Sequence, residues 1–264
     1  MTPLRKELLA EIETVASRDA DLIRSIADTS IPLKHSSWTV GDVVAHLVIS
    51  QRVTKNILRG EKNPYPNVDP QAIASTNEKL LSEFPERNGK TLATLLAMDT
   101  DAFIKEANRY DDDHTMVTHF GSLNLLTGLS HNLFHLLLHG CQIADTLQRA
   151  LPIEAKHLPL ILPFLKKSMI ATYDKESAVD FNGTFIIHLR NSLTFGIVCD
   201  GENIQITDDV LADVDCHISL DPISYFLLLA GVVSQWKLFM TGKISIWGKK
   251  PWFALHLPKL FRNP

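Results

Sequence analysis

The sequence predicts two domains: an N-terminal helical bundle followed by a small α+β domain. Apolar residues recur at helical spacing through the first two thirds of the chain, where strand patterns are scarce. From Phe181 onward the pattern changes to short runs rich in β-branched and aromatic residues. A chain of 264 residues, 45% of them hydrophobic, is long enough to build two cores. We place the domains at residues 1–176 and 177–264.

Six helices are predicted in the first domain. They span residues 5–27, 39–58, 70–83, 91–108, 123–150 and 157–172. Pro, Gly and Asn cluster at residues 60–70 and 85–89, where they mark connections between helices. Thr39 and Asp42 have the spacing of a capping box, so the second helix begins there and His46 lies two turns inside it.

The second domain is predicted as a strand meander with two helices and one further strand. The meander strands span residues 183–189, 193–199, 203–207 and 216–220. The pair Asp200-Gly201 is typical of a hairpin turn. A helix at 222–234, a strand at 243–247 and a last helix at 251–261 complete the domain.

Composition argues against several classes of protein. The net charge is −4 and the Lys and Arg residues are dispersed, unlike the clustered basic surface of a nucleic-acid-binding protein. Three widely spaced cysteines, Cys141, Cys199 and Cys216, favour a reducing cytoplasm over a disulfide framework. The N-terminus has no hydrophobic signal core, and no run reaches the roughly 18 apolar residues of a membrane span. We expect a soluble, cytoplasmic protein with no nucleic-acid partner and no stable membrane insertion.

Histidines in two apolar segments are candidate metal ligands. His131, His135 and His139 are spaced by four residues in an uncharged segment, so they lie on one face of a helix. His46 lies in another apolar helix, and facing helices of a bundle commonly build metal sites. A lone buried histidine is more often a hydrogen-bonded core residue, which is the alternative for His46. Spacing alone leaves His131 and His135 as alternatives for one ligand position.

Two segments carry a resemblance to a known family: WTVGDVVAHL at residues 38–47 and HLLLHGCQIA at residues 135–144. They resemble the metal-ligand segments of the DinB-like superfamily and, within it, of the mycothiol-dependent maleylpyruvate isomerase family. The segments ADVDCHISL at 212–220 and TGKISIWG at 241–248 resemble a sterol-carrier-like domain. The resemblance implies a DinB-like four-helix bundle with extra helices, followed by a small sterol-carrier-like α+β domain.

The resemblance also implies a divalent metal, with zinc the expected ion, held by His46, His135 and His139. His135 stands where the isomerase family commonly has glutamate, so the set becomes three neutral histidines, as in other DinB-like proteins. His131 is then expected to pack behind the ligands. Gln142 occupies a position that is often acidic in the family.

The implied function is a metal-dependent transferase or isomerase that uses a mycothiol-type thiol on a small electrophilic substrate. Three protein ligands leave one position of a tetrahedral ion for water, thiol or substrate. The residues identify no catalytic or thiol-binding side chain, no particular electrophile and no oligomeric state.

Two other functions are kept as alternatives. One is a non-enzymatic protein that binds a lipid or another apolar ligand, in which the apolar segment at residues 225–233 lines a tunnel, although ordinary core packing is the favoured explanation of that segment. The other is a metal-dependent hydrolase that activates water. His114 and His119 are expected on a solvated acidic turn, and Cys141 is expected to be buried and not catalytic.

Overall fold

Long helices form the first part of this computed structural model, and a mixed sheet forms the second. The structure describes residues 1–34, 36–209 and 211–262. The chain divides into two units, Met1–Phe164 and Leu165–Pro264. The domain boundary at 176/177 stays a prediction. The predicted fold class, a helical bundle followed by an α+β domain, is confirmed.

Six long helices follow one another in the order predicted. They are α1 Pro3–Arg24, α2 Val40–Leu58, α3 Pro70–Glu83, α4 Gly89–Ala107, α5 Leu125–Thr146 and α6 His157–Thr172. The first five begin where a side chain accepts a backbone N–H of the first turn, and these caps are Thr2, Thr39, Asp69, Asn88 and Asn124. The capping box predicted at Thr39 and Asp42 is present in both directions.

Helices α1, α2, α4 and α5 pack against one another as a four-helix bundle. Apolar side chains from all four helices are fully withdrawn from solvent; Leu8, Ile12, Leu47, Leu92, Leu96, Phe103 and Leu136 are examples. The apolar stripe of each helix faces this common core, which holds α2 and α5 side by side.

A short hairpin precedes α5, where the sequence predicts a loop followed directly by a helix. Strand β1, Thr115–Thr118, pairs antiparallel with β2, Gly121–Asn124. Met116 and Leu123 are its buried residues. Strands of four residues give too short an alternation to recognise, and the turn lacks an Asn-Gly or Asp-Gly pair. The predicted helix start at residue 123 is therefore two residues early, because Asn124 caps the helix.

The second unit holds a five-stranded sheet. After the single-turn α7, Lys175–Ala178, come β3 Asn182–Leu189, β4 Thr194–Asp200, β5 Asn203–Thr207, β6 Cys216–Leu220 and β7 Ile244–Trp247. Their order in the sheet is β5-β4-β3-β6-β7. Strands β3, β4 and β5 form the predicted meander, but β6 pairs parallel to β3. The meander prediction is wrong for β6, because alternation within a strand does not encode which neighbour it pairs with.

Two predicted helices of this unit are shorter or broken in the structure. The helix predicted at 222–234 is α8, Pro222–Leu229, which ends before Gly231 with φ 68°. A second helix that was not predicted, α9, Gln235–Met240, follows it. The helix predicted at 251–261 is two 3-10 helices, Pro251–Leu255 and Leu257–Leu260. Pro258 cannot donate the hydrogen bond that an α-helix needs at that position. None of the described helices combines the length and apolarity that a bilayer crossing requires.

Candidate metal centre

Three of the predicted histidines come together between α2 and α5. Nε2 of His46 lies 3.0 Å from Nε2 of His135. The ring centroids are 5.1 Å apart for His46 and His139, and 4.6 Å apart for His135 and His139. One nitrogen from each ring lies within 4.8 Å of the other two. The structure thus places the three side chains named from the sequence around one point.

A buried amide pair fixes the register of the two helices that carry these histidines. Gln51 of α2 and Asn132 of α5 exchange hydrogen bonds, with N···O distances of 3.3 and 3.1 Å. Both side chains are buried, so breaking the pair would leave amides without partners. Gln51 follows His46 by five residues and Asn132 precedes His135 by three. The pair therefore holds His46 at the level of His135.

The distances are compatible with ligands of a single ion. Two imidazole nitrogens bound to a tetrahedral zinc at about 2.0–2.1 Å lie about 3.3 Å apart, close to the separation of His46 and His135. Nδ1 of His139 lies 2.8 Å from Oε1 of Gln142. When the amide oxygen accepts the Nδ1 proton, the lone pair on Nε2 is available to an ion. The residues present fit a metal with three nitrogen ligands.

Burial keeps all three imidazoles neutral. Desolvation is the largest cause and lowers the pKa of His46 and His135 well below the usual value, and the neighbouring His139 adds to this. Desolvation lowers the pKa of His139 to about 4, against the opposing effect of the hydrogen bond that His139 donates to Gln142. A neutral imidazole has a lone pair to donate, so the set is ready for a cation at neutral pH.

The cluster is partly shielded by aromatic rings and contains no carboxylate among the described residues. The ring of Trp38 lies 5.1 Å from that of His46. Nδ1 of His135 is buried and has no hydrogen-bond partner among the described residues. The ring of His135 is therefore oriented by packing and by the contact of its Nε2 with His46.

His131 lies on the same face of α5 but outside the three-nitrogen group. Its ring centroid is 4.3 Å from that of Phe164 and 6.1 Å from that of His135. Desolvation lowers the pKa of His131 to about 3. The structure thus surrounds His131 with rings, and the three-nitrogen group contains His135 instead.

His119, in the hairpin turn, contacts the aromatic rings around His131. Its ring lies 5.1 Å from Tyr65, 4.1 Å from Phe120 and 6.2 Å from His131. Desolvation lowers the pKa of His119 to about 4. The expectation of a solvated turn is wrong for this residue, because the unrecognised hairpin carries it inward. The sequence holds no signal for this position, because the two strands are four residues long and their turn lacks an Asn-Gly or Asp-Gly pair.

Two further residues singled out in the sequence have structural surroundings. His114 stacks on Tyr110 at 4.0 Å, and its Nε2 contacts the carbonyl oxygen of Leu58 at 2.9 Å. Cys141 is buried as predicted, and desolvation raises the pKa of its thiol to about 12. A thiol with that pKa is not a nucleophile at neutral pH.

This protein is of a two-domain class, in which a helical bundle that bears a histidine cluster is followed by a domain with a mixed sheet. Residues 9–144 match the profile of the mycothiol maleylpyruvate isomerase N-terminal domain, and residues 165–262 match that of the SCP-2 sterol transfer family. Since the first match covers just over half of the chain, the chain belongs to the mycothiol maleylpyruvate isomerase family. The predicted family and the expectation of an enzyme are confirmed.

Two solved structures of one enzyme share the fold of this chain. A crystal structure of the mycothiol-dependent maleylpyruvate isomerase superposes with a TM-score of 0.54 at 15% identity, covering 89% of this chain and 94% of that one. A histidine-to-alanine mutant of that enzyme gives 0.52 at 14% identity, covering 86% and 90%. A sterol carrier protein-2 like-3 from Aedes aegypti gives 0.27 at 24% identity, covering 34% and 85%. No curated protein matches the chain significantly.

Proposed function

We propose that the chain is a metal-dependent enzyme that uses a low-molecular-weight thiol, mycothiol, to isomerise or conjugate a small electrophile. The observation that carries this proposal is the convergence of His46, His135 and His139, whose nitrogens lie within 4.8 Å of one another. The family supports a thiol as cosubstrate.

The residues of this chain divide the work of holding a divalent ion, for which zinc is the expected identity. His46, His135 and His139 supply three neutral nitrogens, which would leave the ion's charge undiminished. Gln142 keeps the proton of His139 on Nδ1. When bound, the ion would lower the pKa of a thiol in its fourth position and so supply a thiolate nucleophile.

The reaction that follows is reversible addition of the thiolate to an activated double bond. A carbon–sulfur bond forms as the π bond breaks, and the electron pair moves onto the activating group of the substrate. Rotation about the new single bond and elimination of the thiolate complete an isomerisation, whereas protonation and release of the adduct complete a transfer. The ring of Trp38 packs beside the cluster, with its centroid 5.1 Å from that of His46.

A water-activating hydrolase is less well supported. Such enzymes pair the metal with a carboxylate that accepts the proton of the attacking water. Among the described residues, the three-nitrogen group includes no aspartate or glutamate. Without a carboxylate base, the site favours a nucleophile that loses its proton more readily than water does, as a thiol does.

Titration of mycothiol into the cobalt-substituted protein tests the proposed thiol chemistry. We expect an intense sulfur-to-cobalt charge-transfer band that saturates at one thiol per metal. His139→Ala should abolish the band, while His256→Ala, a change of an exposed histidine, should leave it intact. A cobalt-loaded protein whose spectrum does not respond to mycothiol contradicts the thiol assignment while leaving the metal site standing.

A further inference from the structure

The last part of the chain is basic, although the net charge of the whole chain is negative. Residues 222–264 contain five lysines, one arginine and no aspartate or glutamate, whereas the preceding residues carry 20 basic and 30 acidic side chains. The dispersed charge expected from the whole sequence therefore does not extend to this segment. Such asymmetry is typical of a surface that meets an anionic partner.

Three of these six cations form ion pairs with described residues and three do not. Lys250 pairs with Asp215 at 3.0 Å, Arg262 with Asp174 at 3.2 Å, and Lys249 with Asp213. The remaining three, Lys237, Lys243 and Lys259, are exposed and form no ion pair with the described residues, although Asp221 lies near enough to Lys243 to feel its charge.

Large apolar side chains are exposed beside these lysines. On α9, Trp236, Phe239 and Met240 are 65%, 58% and 79% exposed. Trp252 and Leu255 of the first 3-10 helix are 56% and 46% exposed. The strongly exposed Trp and Phe side chains of the described residues all lie between positions 236 and 252. Exposure of this kind marks an interaction surface, because each such side chain in water costs free energy.

The apolar side chains surround one groove of about 250 Å³. Its walls include Trp236, Phe239, Ile244, Ile246, Trp252 and Leu255. Lys237 and Lys243 lie within the same run, 236–243, in which Leu238 alone is buried. We name the residues 236–243 and 251–255 the aromatic–lysine surface.

We propose that the aromatic–lysine surface adsorbs to the anionic surface of a lipid bilayer. Tryptophan and phenylalanine partition into the interface between headgroups and acyl chains, while lysines contact anionic headgroups. Helix α9 is too short to span a bilayer, so the contact is peripheral. A second copy of the chain is a poorer occupant, because a two-fold contact would bring the unpaired lysines of both copies together.

Sedimentation of the full-length protein with vesicles tests this proposal. We expect binding to vesicles of phosphatidylcholine with phosphatidylglycerol, little binding to pure phosphatidylcholine, and weakening by added salt. Each lysine near an anionic surface contributes enough that Lys237→Gln/Lys243→Gln should lower the partition coefficient by about 25-fold. The matched change Lys62→Gln/Lys90→Gln, which removes two exposed lysines of the first unit, should leave it unchanged.

The apolar contribution is tested separately with Trp236→Ala/Phe239→Ala. Both side chains are exposed, so folding should be retained, which circular dichroism checks, while vesicle binding falls. Equal binding of the wild type and the Lys237→Gln/Lys243→Gln variant would overturn the proposal, as would an absence of binding at low salt. A dimer in light scattering that Trp236→Ala/Phe239→Ala converts to a monomer, with no vesicle binding, would assign the surface to a second copy instead.

Discussion

At the scale of single residues, the three imidazoles of the candidate centre are held unequally. Nδ1 of His139 is hydrogen-bonded to Gln142, whereas Nδ1 of His135 is buried without a partner among the described residues. A metal-binding histidine normally has a partner on its other nitrogen, which fixes the tautomer and the ring plane. Gln142 should therefore contribute to affinity without touching the ion.

Replacing Gln142 tests this contribution. Gln142→Leu should weaken metal binding by about 10–100-fold, because nothing then holds the proton of His139 on Nδ1. Gln142→Glu keeps an acceptor at the same position and should retain or strengthen binding. Competition with a chromophoric chelator measures both affinities. Equal affinities for the leucine and glutamate variants would show that the hydrogen bond has no part in binding.

Gly140, next to the last ligand, is confined by a buried carboxyl group. A Cβ added there would lie 2.5 and 2.9 Å from the oxygens of Asp19. Gly140→Ala should therefore destabilise the protein by about 1–3 kcal/mol, as overpacking does. Urea unfolding measures the change. In an Asp19→Ala background the same substitution should cost clearly less, and additive costs would contradict the clash.

At the scale of elements, periodicity and caps predicted most of the helices. The bounds of α3 and α6 agree with the prediction, since Asp69 and Pro70 mark the start of α3. The hairpin at 115–124 could not be predicted, because two four-residue strands give no usable period. The hydrogen bonds between Gln51 and Asn132 could not be predicted either, since they depend on which faces of the two helices are adjacent.

The capping box of α2 positions the first ligand. Thr39→Ala removes the hydroxyl that accepts the backbone N–H of Asp42 and donates to its carboxylate, while the backbone N–H of Thr39 can still donate to that carboxylate. The free energy of unfolding should fall by about 1 kcal/mol. Thr39→Ser retains the hydroxyl and should stay close to the wild type. Thermal or urea unfolding of the two variants checks the difference. Equal losses would mean that the methyl group, and not the cap, is what stabilises this turn.

At the scale of the whole molecule, the two-domain order and the fold class followed from the change of pattern near residue 181. The candidate ligands His46, His135 and His139 were predicted from their spacing together with the family resemblance. The parallel pairing of β6 with β3 did not, because strand direction is set by the connection across the sheet. The inward position of His119 was not predicted, because the hairpin that carries this residue was not predicted.

Buried neutral histidines make the stability of the whole molecule depend on pH. Desolvation lowers the pKa of His119 to about 4 and of His131 to about 3, whereas both titrate near 6.5 when unfolded. The unfolded chain then binds more protons, so stability is fully present above about pH 6.5 and falls as the pH drops toward 4.

Urea unfolding of the chelator-treated protein at several pH values measures this dependence. His131→Phe places a ring among Phe120 and Phe164 and removes one titrating group. The substitution should reduce the slope of the free energy of unfolding against pH by up to about 1.4 kcal/mol per pH unit between pH 6 and 4. His256→Phe, at an exposed position, should leave the slope unchanged. An unaltered slope in His131→Phe would contradict its burial in the neutral form.

The metal content of the purified protein tests the central claim most directly. Elemental analysis of the wild type, after equilibration with zinc and removal of free ion, should give close to one metal per chain. The His46→Ala/His139→Ala variant should give almost none, while His114→Ala, which alters a histidine outside the cluster, should match the wild type. A folded wild type without stoichiometric metal, or a double variant that retains it, would contradict the proposed centre.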